Sequence, residues 1–129
     1  MTIKARLIRA RESDKIGKMR DKPLQRQITI LDRDTGREIV TCRIYWPGSV
    51  AYCALWIHSD EMHASGTGKA GGYGYCKESA AIHDAIYNAG FTLSEDVGGR
   101  GTQAAYEALE AVAACVTGKR KFYRVLAHS

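Results

Sequence analysis

Proline is scarce in this chain, with only Pro23 and Pro47 among 129 residues, and long apolar runs are missing. The composition is therefore far from proline-rich disorder or a collagen-like repeat. Without a stretch of about 18 apolar residues no segment reads as a membrane-spanning helix. The opening residues Met1, Thr2, Ile3, Lys4, Ala5 and Arg6 lack the apolar core of a secretion signal. A cytoplasmic protein with no membrane partner is the expectation. Paired cysteines are missing too: Cys42, Cys53, Cys76 and Cys115 stand apart, with no C-x-x-C, which points to reduced thiols and away from structural zinc. Gly-x-Ser-x-Gly is absent, and no Ser-His-Asp arrangement can be assembled, so the common acyl-transfer sites are excluded.

What is present suits one folded domain spanning residues 1–129. Hydrophobic residues make up 45% and charged residues 26% of a chain long enough to bury a core without staples. The net charge of +5 is unevenly placed. Residues 1–46 carry twelve Lys or Arg against six Asp or Glu, residues 47–118 carry three against eight, and the last eleven residues carry four cations and no acid. A basic face attracts phosphate backbones, although a solvated sheet face would account for the same asymmetry.

The apolar periods divide the chain into strands followed by helices. Ile3-Lys4-Ala5-Arg6-Leu7 alternates at the strand period and predicts a first strand over 2–11. Residues 12–24 are polar, contain Gly17 and Pro23, and predict a long mobile connection that orders on a partner. Strands are predicted at 25–31, 38–46 and 50–58, joined by the turn 32–36 and by Pro47-Gly48 in an antiparallel meander. Val40, Cys42, Ile44 and Trp46 would line a covered face, with Thr41, Arg43 and Tyr45 on a wet one. Ile82, Ala85, Ile86 and Ala89 form the apolar stripe of a helix over 77–89. Phe91-Thr92-Leu93 makes a brief strand. Thr102 is the expected N-cap of a second helix over 102–117, stopped by Gly118. Alternation over 119–127 adds a closing strand. The fold class predicted is α+β: an antiparallel sheet of four or five strands with two helices packed on one face.

The segment 65–76 draws most attention, because residues 65–75 contain five glycines and are expected to form a loop before a helix. Glycines let successive N–H groups converge on an anion, and a helix N-terminus adds partial positive charge. Gly71 and Gly72 would approach a ligand, Lys69 and Lys77 would supply charge, and Tyr73 and Tyr75 would stack on a base. G-x-G-x-x-G occurs at Gly66, Gly68 and Gly71, but not between a strand and a helix of a parallel unit, as the dinucleotide fingerprint requires. Ala70 after Gly68-Lys69 removes the hydroxyl that a Walker A loop needs. No cofactor is predicted.

Arg100, between Gly99 and Gly101, is a further exposed cation, and it joins Lys69 and Lys77 only if the two helix N-termini share one end of the fold. His58, Asp60 and His63 would offer two imidazoles and a carboxylate if they converge, at a spacing that matches no established zinc pattern. His63-Ala64-Ser65 is half of a two-histidine phosphoesterase signature without its second copy. Cys76, near a predicted helix N-terminus, lacks an identified base and suits labelling better than nucleophilic catalysis.

The run Gly71-Gly72-Tyr73-Gly74-Tyr75-Cys76-Lys77-Glu78-Ser79-Ala80-Ala81, followed by an alanine-rich helix, resembles small accessory proteins of phages and plasmids over residues 50–118. That resemblance implies a host-cell cytoplasmic setting and action on defence systems of the anti-CRISPR or anti-restriction kind. It transfers no catalytic or binding residue. The expectation is a non-enzymatic binding protein that engages nucleic acid, a nucleotide, a nucleoprotein complex or a host defence protein. Its contact residues would be Lys4, Arg6, Arg9, Lys69, Gly71, Gly72, Tyr73, Tyr75, Lys77 and Arg100. The alternatives are a small metal-assisted hydrolase using His58, Asp60 and His63, and a homodimeric module pairing open strand edges.

Overall fold

A computed structural model of the chain describes residues 3–11, 13, 15–19 and 22–128. The element order is β1 (Ala5–Leu7), α1 (Ile16–Met19), β2 (Leu24–Asp32), β3 (Glu38–Tyr45), β4 (Val50–His58), β5 (His63–Gly71), α2 (Gly74–Asn88), β6 (Phe91–Leu93), a 3-10 turn at Glu95–Val97, α3 (Thr102–Thr117) and β7 (Phe122–His128). Five strands form an antiparallel sheet in the order β5-β4-β3-β2-β7, and β1 and β6 form a separate two-stranded ribbon. This is the α+β class the periods predict, with α2 and α3 as the two substantial helices on one face.

Alternation along the strands decides that face. Ile28 and Ile30 of β2, Val40, Cys42 and Ile44 of β3, and Cys53, Leu55 and Ile57 of β4 are buried beneath Ala81, Ile82, Ala85 and Ile86 of α2 and Ala105, Ala108, Leu109 and Val112 of α3. The fully buried Cys42 and Cys53 bring their Sγ atoms to 3.5 Å as free thiols, and burial with Cys42 alongside pushes the Cys53 thiol well up.

Three expectations need correction. The glycine-rich segment is mostly not a loop: its first seven residues lie in β5, and α2 begins at Gly74, three residues before the apolar stripe predicts. Gly66 and Gly68 serve packing, because a Cβ on Gly68 would stand 2.2 Å from the Ala81 carbonyl oxygen and one on Gly66 2.5 Å from that of Ala85. Bare backbone on β5 lets α2 lie directly on the strand. Likewise, the first predicted strand shrinks to three residues outside the main sheet, because β1 pairs with β6 in the helix layer, where Ala5 joins the core.

The connection predicted to be mobile also contributes structure. The chain runs from the ribbon past the β5 edge, where Arg11 O accepts the Ser65 N–H and Ser65 Oγ accepts the Ser13 N–H. It then crosses the face that alternation leaves wet. Ile16 and Met19 of α1 are buried there with Tyr45 and Ala54, beside Leu24, Tyr52 and Trp56. Tyr45 is only 2% exposed, so the second face is partly covered by the chain itself. Residues 12, 14, 20 and 21 of that connection lie outside the described residues.

Candidate anion-binding site at the paired helix N-termini

Two contacts fix how the helices lie. Gly68 and Gly66 of β5 face Ala81 and Ala85, then Ala89, so α2 runs antiparallel to β5 and parallel to β4. Tyr106, near the start of α3, reaches Arg26 at the start of β2, and Lys119, just past its end, reaches Asp32 at the end of β2. Both helices therefore run the same way, with β6 returning the chain between them. Their N-termini meet: the Gly101 N–H donates to Ser79 Oγ at 3.0 Å, and Ser79 Oγ donates to the Cys76 carbonyl at 2.9 Å. The condition that would bring Arg100 toward Lys77 is met.

Neither helix is capped by a side chain. Tyr73 occupies the N-cap of α2, and Gly101, rather than Thr102, occupies that of α3. Gly72, at φ +133°, turns the end of β5 into α2 in a conformation closed to other residues. Uncapped starts leave backbone N–H groups and two positive dipole ends at one edge of the molecule.

Beneath those starts lies a ladder of cations and rings. Lys77 Nζ stands 4.1 Å from the Trp46 ring centroid, and Trp46 packs at 6.3 Å from Tyr75. The Arg26 guanidinium sits 5.4 Å from Tyr75 and 5.9 Å from Tyr106, and Arg124 lies 4.9 Å from the other ring neighbour, Tyr106. Two carboxylates tie the ladder down: Glu78 Oε1 accepts from Arg26 Nε at 2.6 Å, and Glu110 Oε2 from Arg124 Nη2 at 2.6 Å. Arg26 is 4% exposed and Glu78 fully buried. Burial opposes the Arg26 charge, but the hydrogen bond and field of Glu78 outweigh it and raise its proton affinity. Arg26 Nη2 is buried and meets no acceptor among the described residues.

Above the ladder, Tyr73 is 93% and Tyr75 54% exposed. Of the predicted contact residues, Gly71, Gly72, Tyr73, Tyr75, Lys77 and Arg100 belong to this end of the fold. Lys77 is buried against Trp46, so its charge acts through the ring rather than as a free arm. Lys69 points from β5 at the position opposite Tyr52, and its N–H donates to Asp84. Lys4, Arg6 and Arg9 are exposed on and beside β1, where the Arg9 N–H donates to Gly90 O past the far end of α2. They form a separate basic strip.

Arg26, Glu78, Trp46 and Tyr106 are missed by motif reasoning, yet a signal exists. Arg26 falls in phase with the inward Ile28 and Ile30, and Glu78 in phase with Ile82 and Ile86. Opposite charges at two inward positions announce a buried pair.

The opposite end holds a cleft of about 890 Å³, lined by the β2–β3 and β4–β5 turns and the end of α3. His58 and His63 do converge there, with Nδ1 atoms 3.0 Å apart, while Asp60 turns away to pair with Arg37. Among the described residues no three His, Cys, Asp or Glu side chains are disposed around one ion, and no helix is long and apolar enough to cross a membrane. No family model, no curated protein and no solved structure matches the chain.

Proposed function

We propose that the protein is a non-enzymatic binding protein that holds a phosphate-bearing strand of nucleic acid at the paired N-termini of α2 and α3. The observation that carries this reading is the convergence of two uncapped helix starts, with the Gly101 N–H on Ser79 Oγ, at the end of the fold where Tyr73 and Tyr75 are exposed. Dipole ends and backbone N–H groups favour an anion, Arg100 adds a full charge, and the tyrosines offer faces on which bases stack without regard to sequence. The cation–ring ladder keeps Tyr75 oriented, so stacking costs little ordering. Lys4, Arg6 and Arg9 give a second, looser attraction along the ribbon. In the setting implied by the resemblance to phage and plasmid accessory proteins, the strand would be the guide or target of a host nucleoprotein defence complex in the cytoplasm.

Fluorescence anisotropy with short single- and double-stranded DNA and RNA at two salt concentrations tests this. Binding should weaken steeply with salt. Tyr73→Ala should cost about 1–3 kcal/mol if it stacks on one base, and Arg100→Glu should weaken binding to every sequence. Arg6→Glu/Arg9→Glu should reduce the salt slope with a smaller loss. No binding at low salt, or affinity unchanged in both Tyr73→Ala and Arg100→Glu, would overturn the reading.

A further inference from the structure

The cleft at the C-terminal end of α3 has the opposite character from the N-terminal edge. Its lining includes four acids, Asp32, Glu38, Asp60 and Glu61, against two cations, Arg37 and Lys119. Both cations are already engaged, Arg37 by Asp60 and Lys119 by Asp32. The last turn of α3 adds its negative dipole end through Thr117 and Gly118, which line the same cleft. A cation is favoured here on a protein that is basic as a whole.

Within the cleft, His58 and His63 are register partners that close the β4–β5 hairpin. The turn between them is held by the Ser59 N–H on Met62 O at 2.9 Å and the Met62 N–H on Ser59 Oγ at 3.1 Å. The two rings meet edge to face, 5.3 Å between centroids, with the Nδ1 atoms facing each other at 3.0 Å. Two imidazole nitrogens bound to one ion at metal–nitrogen distances of about 2.0–2.1 Å stand roughly 2.9–3.4 Å apart at adjacent coordination positions. The observed separation falls in that range, and the hairpin register places the two residues opposite each other before any ion arrives.

We infer that His58 and His63 form a two-imidazole site for a borderline divalent transition-metal ion such as Zn²⁺ or Ni²⁺, bound through both Nδ1 atoms. Imidazole suits these ions over Mg²⁺ or Ca²⁺. In the metal-free pair one Nδ1–H donates to the other Nδ1 lone pair. On binding, that proton moves through solvent to Nε2 of the same ring, both imidazoles stay neutral, and each presents an Nδ1 lone pair to the ion. With no third protein ligand in place, the remaining positions carry water, and the site stays open to the cleft.

Isothermal titration calorimetry of the full chain with Zn²⁺ and with Ni²⁺ tests the site, with thermal melting as a check that each variant folds. One ion per chain is expected, with a raised melting temperature in its presence. His58→Gln and His63→Gln should each abolish the binding that calorimetry reads, because either one leaves a single imidazole to hold the ion. His83→Gln, on α2, and Cys76→Ala, at the other end of the fold, should bind as the parent does. Mg²⁺ should not compete. Undiminished binding in either His58→Gln or His63→Gln, loss of binding in Cys76→Ala, or no ion bound by the parent would overturn the assignment. This site is independent of nucleic-acid binding, so neither result depends on the other.

Discussion

A single methyl group placed on β5 tests the claim that the glycine-rich segment exists to seat a helix. In Gly68→Ala the new Cβ would lie 2.2 Å from Ala81 O, 2.4 Å from Ala85 N and 2.9 Å from Asp84 Cβ. Two of these are backbone atoms in the middle of α2, so no side chain can rotate aside. To restore ordinary contact the helix must withdraw by about 1 Å, and a gap of that size forfeits a quarter to a half of the dispersion energy along the interface. Ala81, Ile82, Ala85 and Ile86, all fully buried, share that interface. Overpacking a core typically costs about 1–3 kcal/mol. A clash on rigid backbone belongs at the upper end, so about 3 kcal/mol is expected. For a domain of this size that corresponds to a fall in Tm of about 12 °C. Gly66→Ala, with Ala85 O at 2.5 Å and Ala89 N at 2.6 Å, should behave alike. The two effects should add incompletely, because both displace the same helix. Gly71→Ala is the control: nothing stands within 4 Å of its Cβ and its φ is not positive, so stability should hold or rise slightly. Differential scanning calorimetry reads all four proteins. Equal melting of Gly68→Ala and Gly71→Ala would refute the packing role and return the whole segment to a ligand-binding explanation.

The buried pair beneath the helix starts should show strong coupling. Arg26→Met and Glu78→Leu should each cost about 3–5 kcal/mol by stranding the partner's charge, whereas the double variant should recover most of that loss; additive losses in urea unfolding would show that the two charges do not depend on each other. His83 carries a pH dependence. Burial of its half-buried ring, whose Nε2 meets no partner among the described residues, lowers its proton affinity below the ordinary 6.5. The unfolded chain then binds more protons than the native state just below that value, so stability should fall as the pH drops beneath about 6.5 and level off below the folded value. Thermal melts at about pH 7.5 and about pH 5 should therefore differ less in His83→Gln than in the parent; an unchanged difference would assign the loss to other groups.

Elements that announce themselves through period were legible, and elements defined by what lies across from them were not. The meander over β2, β3 and β4, the stripe Ile82-Ala85-Ile86-Ala89 and the alternation of β7 all follow from spacing alone. Gly66 and Gly68 misled because glycine is read locally as a turn former, and only the helix lying on β5 shows why a side chain is forbidden there. The α1 turn was illegible for a related reason: Ile16 and Met19 are two apolar residues in a polar stretch, and their partners Tyr45, Tyr52 and Trp56 come from β3 and β4. His58 and His63 were legible as candidates, while their convergence required the register of the β4–β5 hairpin.

The direction of the helices governs what the two ends of the molecule can do. Had α2 and α3 been antiparallel neighbours, as a short connection would make them, their dipoles would cancel at each end and Arg100 would sit far from Tyr73. The return through β6 makes them parallel instead, with β1 paired to that return strand and Ser94 N–H donating to Lys4 O. Partial positive charge from both helix starts accumulates where Tyr73, Tyr75 and Arg100 are displayed, and the negative end of α3 adds to the acids that line the cleft with His58 and His63. The three-residue ribbon is thus more than an edge decoration, for it pairs with the return strand that places both helix N-termini at one edge, away from the acid-lined cleft. Substitutions confined to one end should therefore leave the other unchanged, since no residue is shared between Tyr73, Tyr75 and Arg100 on one side and the cleft lining on the other.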